Sequence, residues 1–351
     1  MTISEALYLD HAATTPLLPA AREALLQGFA LWANPSSPHR AGRAARAALE
    51  EARGRIAAAL GWGGEVIFTS GASEALAIAA TRCHLPLAAV SPVEHEALLR
   101  HAGSAERLAV DGSGLVDPAA AARPGLVAVQ QVNNETGVIQ PLDAIAAAVR
   151  AAGGLLLADC AQGAGKLALP DADLIALAAH KFGGPIGVGA LLVRDRAMLK
   201  PGGGQERGYR AGTENLPGVL AMAAALEEGR GWLAGAARLR QGLEQAIACA
   251  GGQAVASAAP RLATIGAYRM PGVSAAAQLI RFDGMGIAVS AGSACSSGSL
   301  RTSHVLAAMA MADKAAAEVI RVSIGRETSA ADIRRFTDAW QEIAGKARVA
   351  A

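Results

Sequence analysis

Short apolar runs alternate with longer amphipathic stretches along most of this chain. Arg40 to Leu60 places alanine and leucine at helical spacing among Arg and Glu, and Gly61 closes it as a C-cap. Pro19 to Trp32 has the same period, with proline near its start. Glu65–Thr69, Leu87–Ser91, Gly125–Val132, Gly154–Asp159, Leu174–Leu177 and Val188–Val193 read as strands. Helical stretches separate several of them: one opening at Ala75, one beginning near Glu94–Glu96, and Leu142–Ala152. This alternation predicts an α/β fold, a mostly parallel sheet with helices on both faces. Pro217 to Leu243 reads as one long helix bridging to a second unit. From about residue 240 the pattern becomes helix, strands, helix, with strand candidates at Thr264–Tyr268 and Gly286–Ser290 and a strand within Ile320–Arg326. The expected division is a large domain over 14–240 and a smaller α+β domain formed by 1–13 with 241–351.

Composition narrows the classes. The chain has 351 residues, is 52% hydrophobic and carries a formal charge of +2. That balance gives no reason to expect nucleic acid or an anionic membrane as partner. No apolar run is long enough to span a bilayer, and Met1–Glu5 lacks the basic and apolar regions of a signal peptide, so a cytoplasmic location is expected. Cys83, Cys160, Cys249 and Cys295 are scattered without CxxC spacing, which indicates neither a metal site nor a disulfide framework.

The candidate chemistry sits at strand ends. Lys181 lies in a Gly/Pro-rich turn between two apolar runs. Desolvation there lowers an amine's pKa and suits it to Schiff-base chemistry. An ordinary turn lysine with a packed stem reads the same way. Asp159 ends the preceding strand, 22 residues earlier. A lysine and a strand-end carboxylate are what pyridoxal phosphate requires, although such an Asp also caps helices. Ser70–Glu74 joins a strand to a helix N-terminus, which describes an anion site as well as an ordinary βα turn. His95 lies just past a strand, where capping histidines are common. Cys295 stands in Ala291–Ser299 among small residues, as an exposed reactive thiol would. Arg321, between apolar residues, needs a carboxylate, from substrate or from the fold.

Together the motifs Leu9–Pro16, Asn34–His39, Thr69–Glu74, Val93–His95, Val132–Gly137, Asp159–Gln162, His180–Lys181, Gly203–Arg207, Arg210–Asn215, Ser293–Gly298 and Ile320–Arg326 resemble, in order, those of the cysteine desulfurases. These belong to the class V aminotransferases, pyridoxal-phosphate enzymes of fold type I. The serine-rich cysteine loop is similar to that of the NifS/IscS-like subgroup serving iron–sulfur and nitrogenase cofactor assembly.

The resemblance implies a role for each matching position. Lys181 would hold pyridoxal 5'-phosphate as a Schiff base and act as general base. Asp159 would pair with the pyridinium nitrogen, and His95 would stack on the ring. Asn134 and Gln162 would lie near its phenolic oxygen. Gly71, Ala72, Ser73 and His180 would hold the phosphate, and Thr213 would reach the phosphate of a partner subunit in a homodimer with shared active sites. Arg321 and Asn34 would bind the carboxylate of L-cysteine. Cys295 would take its sulfur as a persulfide, release alanine and pass the sulfur to an acceptor or scaffold protein.

Two positions depart from the pattern: Ala178 stands where a phosphate-binding hydroxyl is usual, and Glu74 is followed by Ala75-Leu76-Ala77 instead of asparagines. An aminotransferase or lyase with Cys295 incidental, a selenocysteine lyase, and a cofactor-free relative remain alternatives at this point.

Overall fold

In the computed structural model, residues 6–292 and 303–350 are described. Twelve strands fall in this order: β1 (Leu7–Tyr8), β2 (Glu65–Thr69), β3 (Leu87–Val90), β4 (Glu106–Arg107), β5 (Gly125–Ala128), β6 (Gly154–Asp159), β7 (Leu174–Ala178), β8 (Gly189–Val193), β9 (Gln253–Ala254), β10 (Ile265–Arg269), β11 (Ile287–Ala288) and β12 (Val319–Ser323). Seven form one sheet in the order β2-β8-β7-β6-β5-β3-β4. β8 runs antiparallel to both neighbours, and the remaining pairs are parallel. The sheet is therefore mostly parallel, as the alternation of elements predicts.

Side chains sort across this sheet with the two-residue period of a strand. Leu156, Ala158, Ile175 and Leu177 enter a core covered by helices Pro19–Ala30, Arg40–Leu60, Leu142–Ala151 and Leu216–Glu227. Leu157, Leu174 and Ala176 face the opposite way, against Leu76 and Ala79 of helix Ala72–Arg82. Burial on both faces explains why β6 and β7 are continuous apolar runs rather than alternating ones. A charged pair is locked into the first core: Arg53 donates to Glu206 at 2.8 and 3.0 Å. Glu206 also accepts from the Phe68 backbone N–H at 2.9 Å.

A separate core gathers Leu7 and Leu9 with residues from Ala236 onward, centred on Phe282, Phe336 and Trp340. Phe282 and Phe336 stack at 5.0 Å. β10 pairs with β12 and β9, and β1 pairs with β11. The single helix expected over 217–243 is instead two, Leu216–Glu227 and Leu233–Cys249. Gly229 breaks it by taking a left-handed φ of 70°, within a Gly-Arg-Gly link that helical periodicity alone does not resolve.

Candidate active site

The ends of β2, β6 and β7, the middle of β12 and the segment after β1 converge on a cavity of about 580 Å³. Lys181 enters it from the turn Ala179–Lys181 that terminates β7. Its Nζ donates to the carbonyls of Ala12 and Ala13, at 2.7 and 2.8 Å. Burial, and then Arg321, push its pKa down to about 8, while Asp159 and Asp10 pull the other way. Asp159 ends β6 and lines the same cavity. Its carboxylate accepts one hydrogen bond, from the Ala161 N–H at 2.8 Å, and among the described residues it has no ion pair. Burial holds its pKa above the usual range.

His95 is the N-cap of helix Glu96–Leu99. Its Nδ1 accepts from the Ala97 N–H at 3.1 Å, which assigns the proton of the neutral ring to Nε2. Burial lowers its pKa, against the pull of Asp159. The capping role read from the sequence is real, and the ring lines the cavity as well. Gln162 donates to the Ala12 carbonyl at 2.8 Å, and its Oε1 is buried without a partner among the described residues.

The anion end is built from backbone. Helix Ala72–Arg82 begins after Gly71, whose φ of 153° suits glycine, and no side chain caps its first N–H groups. Gly71, Ala72 and Ser73 line the cavity there, and His180 lines it as well. Burial and the nearby Lys181 and Lys166 hold His180 at about 4, so the ring is neutral near pH 7. Its Nδ1 lies 3.2 Å from the Thr14 hydroxyl. Glu74 is occupied by the Ser70 N–H and by Arg210 at 2.9 Å. Ala178 lines the cavity with a methyl group.

Arg321 reaches in from β12. It donates to Asp10 Oδ1 at 2.7 Å and to the Asn134 carbonyl at 3.0 Å, and its Nε is buried and unpartnered among the described residues. Asp10 is a participant that sequence reasoning passed over, although it lies inside a quoted motif. Glu94 is another. It is fully buried next to Asp159, and burial raises its pKa well above the carboxylate range.

Two expected residues lie outside the cavity. Asn34 is exposed, and its Oδ1 accepts from the Ser36 N–H at 2.9 Å, a local turn that satisfies it away from Arg321. Thr213 is exposed on a loop. Cys295 lies outside the described residues.

The residues present fit pyridoxal phosphate. An uncapped helix start meets a phosphate, and a buried carboxylate without a cation meets a protonated pyridine nitrogen. A low-pKa amine shares the cavity with them, and Gln162 Oε1 is a polar atom still to be satisfied.

Residues 7–336 match the family described as Aminotransferase class-V. The chain is 37% identical over 376 residues to a cysteine desulfurase of Cereibacter sphaeroides, covering 98% of this chain and 97% of that protein. Among solved structures, a NifS-like protein from Rickettsia africae ESF-5 aligns with a TM-score of 0.88 at 29% identity, over 96% of this chain and 99% of that one. SspA in complex with cysteine aligns with a TM-score of 0.77, also at 29% identity, over 91% and 98% respectively. With that coverage at these identities, the chain belongs to the class-V aminotransferase family.

Proposed function

We propose that this protein is a pyridoxal-phosphate-dependent cysteine desulfurase, converting L-cysteine to L-alanine and moving the sulfur onto Cys295. The observation that carries the reading is the convergence of Lys181, Asp159, His95 and Arg321 on one cavity in a chain whose curated relatives bear that activity. The cysteine held by one structural relative supports the choice of substrate.

When bound, pyridoxal phosphate supplies an electron sink for negative charge at the substrate's Cα. The chain's residues supply the rest. Asp159, buried and unpaired, provides the negative charge that keeps a pyridine nitrogen protonated. Gly71, Ala72, Ser73 and His180 would hold the phosphate, and Asn134 and Gln162 line the same cavity and would contact the ring. Arg321 offers its free Nε to the cysteine carboxylate. Lys181, with a pKa of about 8, exchanges a proton at Cα near neutral pH. The Cys295 thiolate takes the substrate sulfur, forming an S–S bond as the Cβ–S bond breaks and leaving a persulfide on the enzyme. The electron pair of the broken bond stays with the three-carbon fragment, which is protonated to alanine.

The domain division at residues 13 and 240, a homodimer with Thr213 meeting the partner's phosphate, and a cytoplasmic location belong to the same proposal. The exposure of Thr213 agrees with a role outside its own cavity. Among the described residues no helix is long and apolar enough to cross a membrane. An acceptor serving iron–sulfur or related cofactor assembly fits the cysteine-loop sequence.

The test is sulfide and alanine release from L-cysteine with a thiol reductant. Equimolar products from the wild type, lost in Cys295→Ser, support the reading. Pyruvate and ammonia released with the sulfide in place of alanine overturn it in favour of β-elimination, and a sulfur-bearing keto acid formed without sulfide overturns it in favour of transamination.

A further inference from the structure

Lys181 borders two cavities. Behind the large one lies a chamber of about 20 Å³, walled in part by His11, Thr15, Lys166, Lys181, Thr264 and Gly325. A space of that size holds one water when at least two polar groups face it. Thr264 is 3% exposed, and its hydroxyl has no partner among the described residues. His11 Nδ1 is equally buried and unpartnered there. Lys166 Nζ donates to the Gln162 carbonyl at 3.2 Å. The Gln162 carboxamide in turn donates to the Ala12 carbonyl that Lys181 also uses.

The two amines have different surroundings. Lys181 faces the carboxylates of Asp159 and Asp10, against the Arg321 cation, with His95 and His180 beside it. Lys166 is buried, the ionisable groups facing it are Lys181, His11 and His180, and the Arg326 guanidinium lines the same chamber. Among the described residues no carboxylate pairs with it. Two ammonium groups flanking one water-sized chamber repel strongly in so dry a place. One must yield, and it is the one without carboxylates. Residue type agrees: of 32 basic side chains five are lysines, and this unpaired buried position carries one of them rather than an arginine, which cannot discharge.

We propose that the chamber is a single-water site through which Lys166 acts as a positioning residue for Lys181. Lys166 releases its proton to solvent before Lys181 does, so Lys181 keeps an uncharged neighbour and stays the basic amine of the pair. Burial and then Lys181 hold Lys166 at about 7, against about 8 for Lys181. His11, held at about 4 by burial and then by Lys166, does not keep the proton. The use of this order rests on Lys181 being the reacting amine. The order itself is read without turnover, so failure of either claim is seen separately.

Five lysines make the measurement tractable. The full-length chain, stripped of cofactor and labelled with ¹³C at the lysine ε-carbons, is titrated by NMR, with Lys166→Met and Lys181→Ala used for assignment. Lys166 should titrate at lower pH than Lys181. The reverse order, or an ordinary lysine midpoint for Lys166, overturns the proposal. Lys166→Arg installs a cation that cannot discharge and should lower the Lys181 midpoint by about one pH unit. Lys166→Met should leave it nearly in place. An unmoved midpoint in a folded Lys166→Arg overturns the coupling, and the wild-type order decides the matter if that variant does not fold. A crystal structure should show one water within reach of Thr264 Oγ1 and Lys166 Nζ, and a dry chamber refutes the water site.

Discussion

Ala178→Ser should tighten cofactor retention, and the structure supplies each term. Ala178 is the last residue of β7 and is 3% exposed, and it lines the cavity near Gly71, Ser73 and His180. Its φ and ψ of −130° and 118° are ordinary extended backbone, which serine adopts without strain. Its cross-strand partner is Gly189, so no opposing side chain takes up the space of an added oxygen. A hydrogen bond to a charged acceptor contributes about 1.5–3 kcal/mol. Fixing the serine rotamer offsets part of that, leaving a net of about 1 kcal/mol. At 1.4 kcal/mol per tenfold, pyridoxal phosphate should leave the variant roughly 5-fold more slowly. The assay is loss of cofactor absorbance during dialysis against a scavenging amine, alongside thermal unfolding of the loaded and stripped proteins. Stabilisation should appear only in the loaded protein. Unchanged or faster loss, or an equal rise in Tm in both forms, would refute the reasoning, because the hydroxyl would then be acting on the fold or not at all.

Lys181→Ala should abolish turnover and the visible absorbance of bound cofactor, while the far-ultraviolet circular dichroism stays native. Arg321→Gln should raise the KM for cysteine by ~10–100-fold, the loss of one or two charge-assisted hydrogen bonds, with a smaller effect on kcat. Arg53→Met should destabilise the fold by roughly 3 kcal/mol in urea unfolding, because it leaves the Glu206 carboxylate buried without its cation. Lys166→Met should change stability in a pH-dependent way. The wild-type amine, depressed to about 7, burdens the fold fully below that pH, and the burden disappears as pH rises to the unfolded value of 10.5. The stability advantage of Lys166→Met should therefore shrink by up to about 1.4 kcal/mol per pH unit across that window. A constant difference across it would mean that Lys166 is not desolvated.

How much of this was readable in advance divides along a physical line. β6 and β7 are buried on both faces, so their sequences are short apolar runs, and a polar residue ending such a run stands out. Asp159 and Lys181 were visible for that reason. The uncapped helix start after Gly71 is equally local, being written in a strand, a small-residue turn and a helix within about ten residues. What could not be read was set by contacts distant in sequence. Asn34 has the same neighbours in sequence whether it reaches Arg321 or closes a turn on Ser36, and the chain folds it to the turn. The break at Gly229 lies inside an alanine-rich stretch whose apolar period continues on both sides.

Lys166 shows the same limit most clearly, since Gly-Ala-Gly-Lys-Leu-Ala-Leu is indistinguishable from a surface turn. Its burial follows from Ile324–Arg326, Thr264 and the residue 11–12 segment closing over it. Those segments lie in or beside the part of the chain that carries the second core, whereas Lys181, Asp159 and the helix after Gly71 belong to the large sheet. Arg321 lies on β12, which runs directly into the Ile324–Arg326 wall of the chamber and which a backbone bridge at Asp10 and Ser323 fixes to the N-terminal segment. The Ala12 and Ala13 carbonyls that receive the Lys181 amine follow directly from that bridge. Cofactor chemistry thus rests on the large sheet, while the proposed carboxylate contact and the lysine's hydrogen-bond acceptors arrive together from the other side. A substitution that loosens the Asp10–Ser323 bridge should for this reason raise KM for cysteine and shift the Lys181 titration in the same variant. Effects on only one of the two would show that the N-terminal segment and β12 act independently.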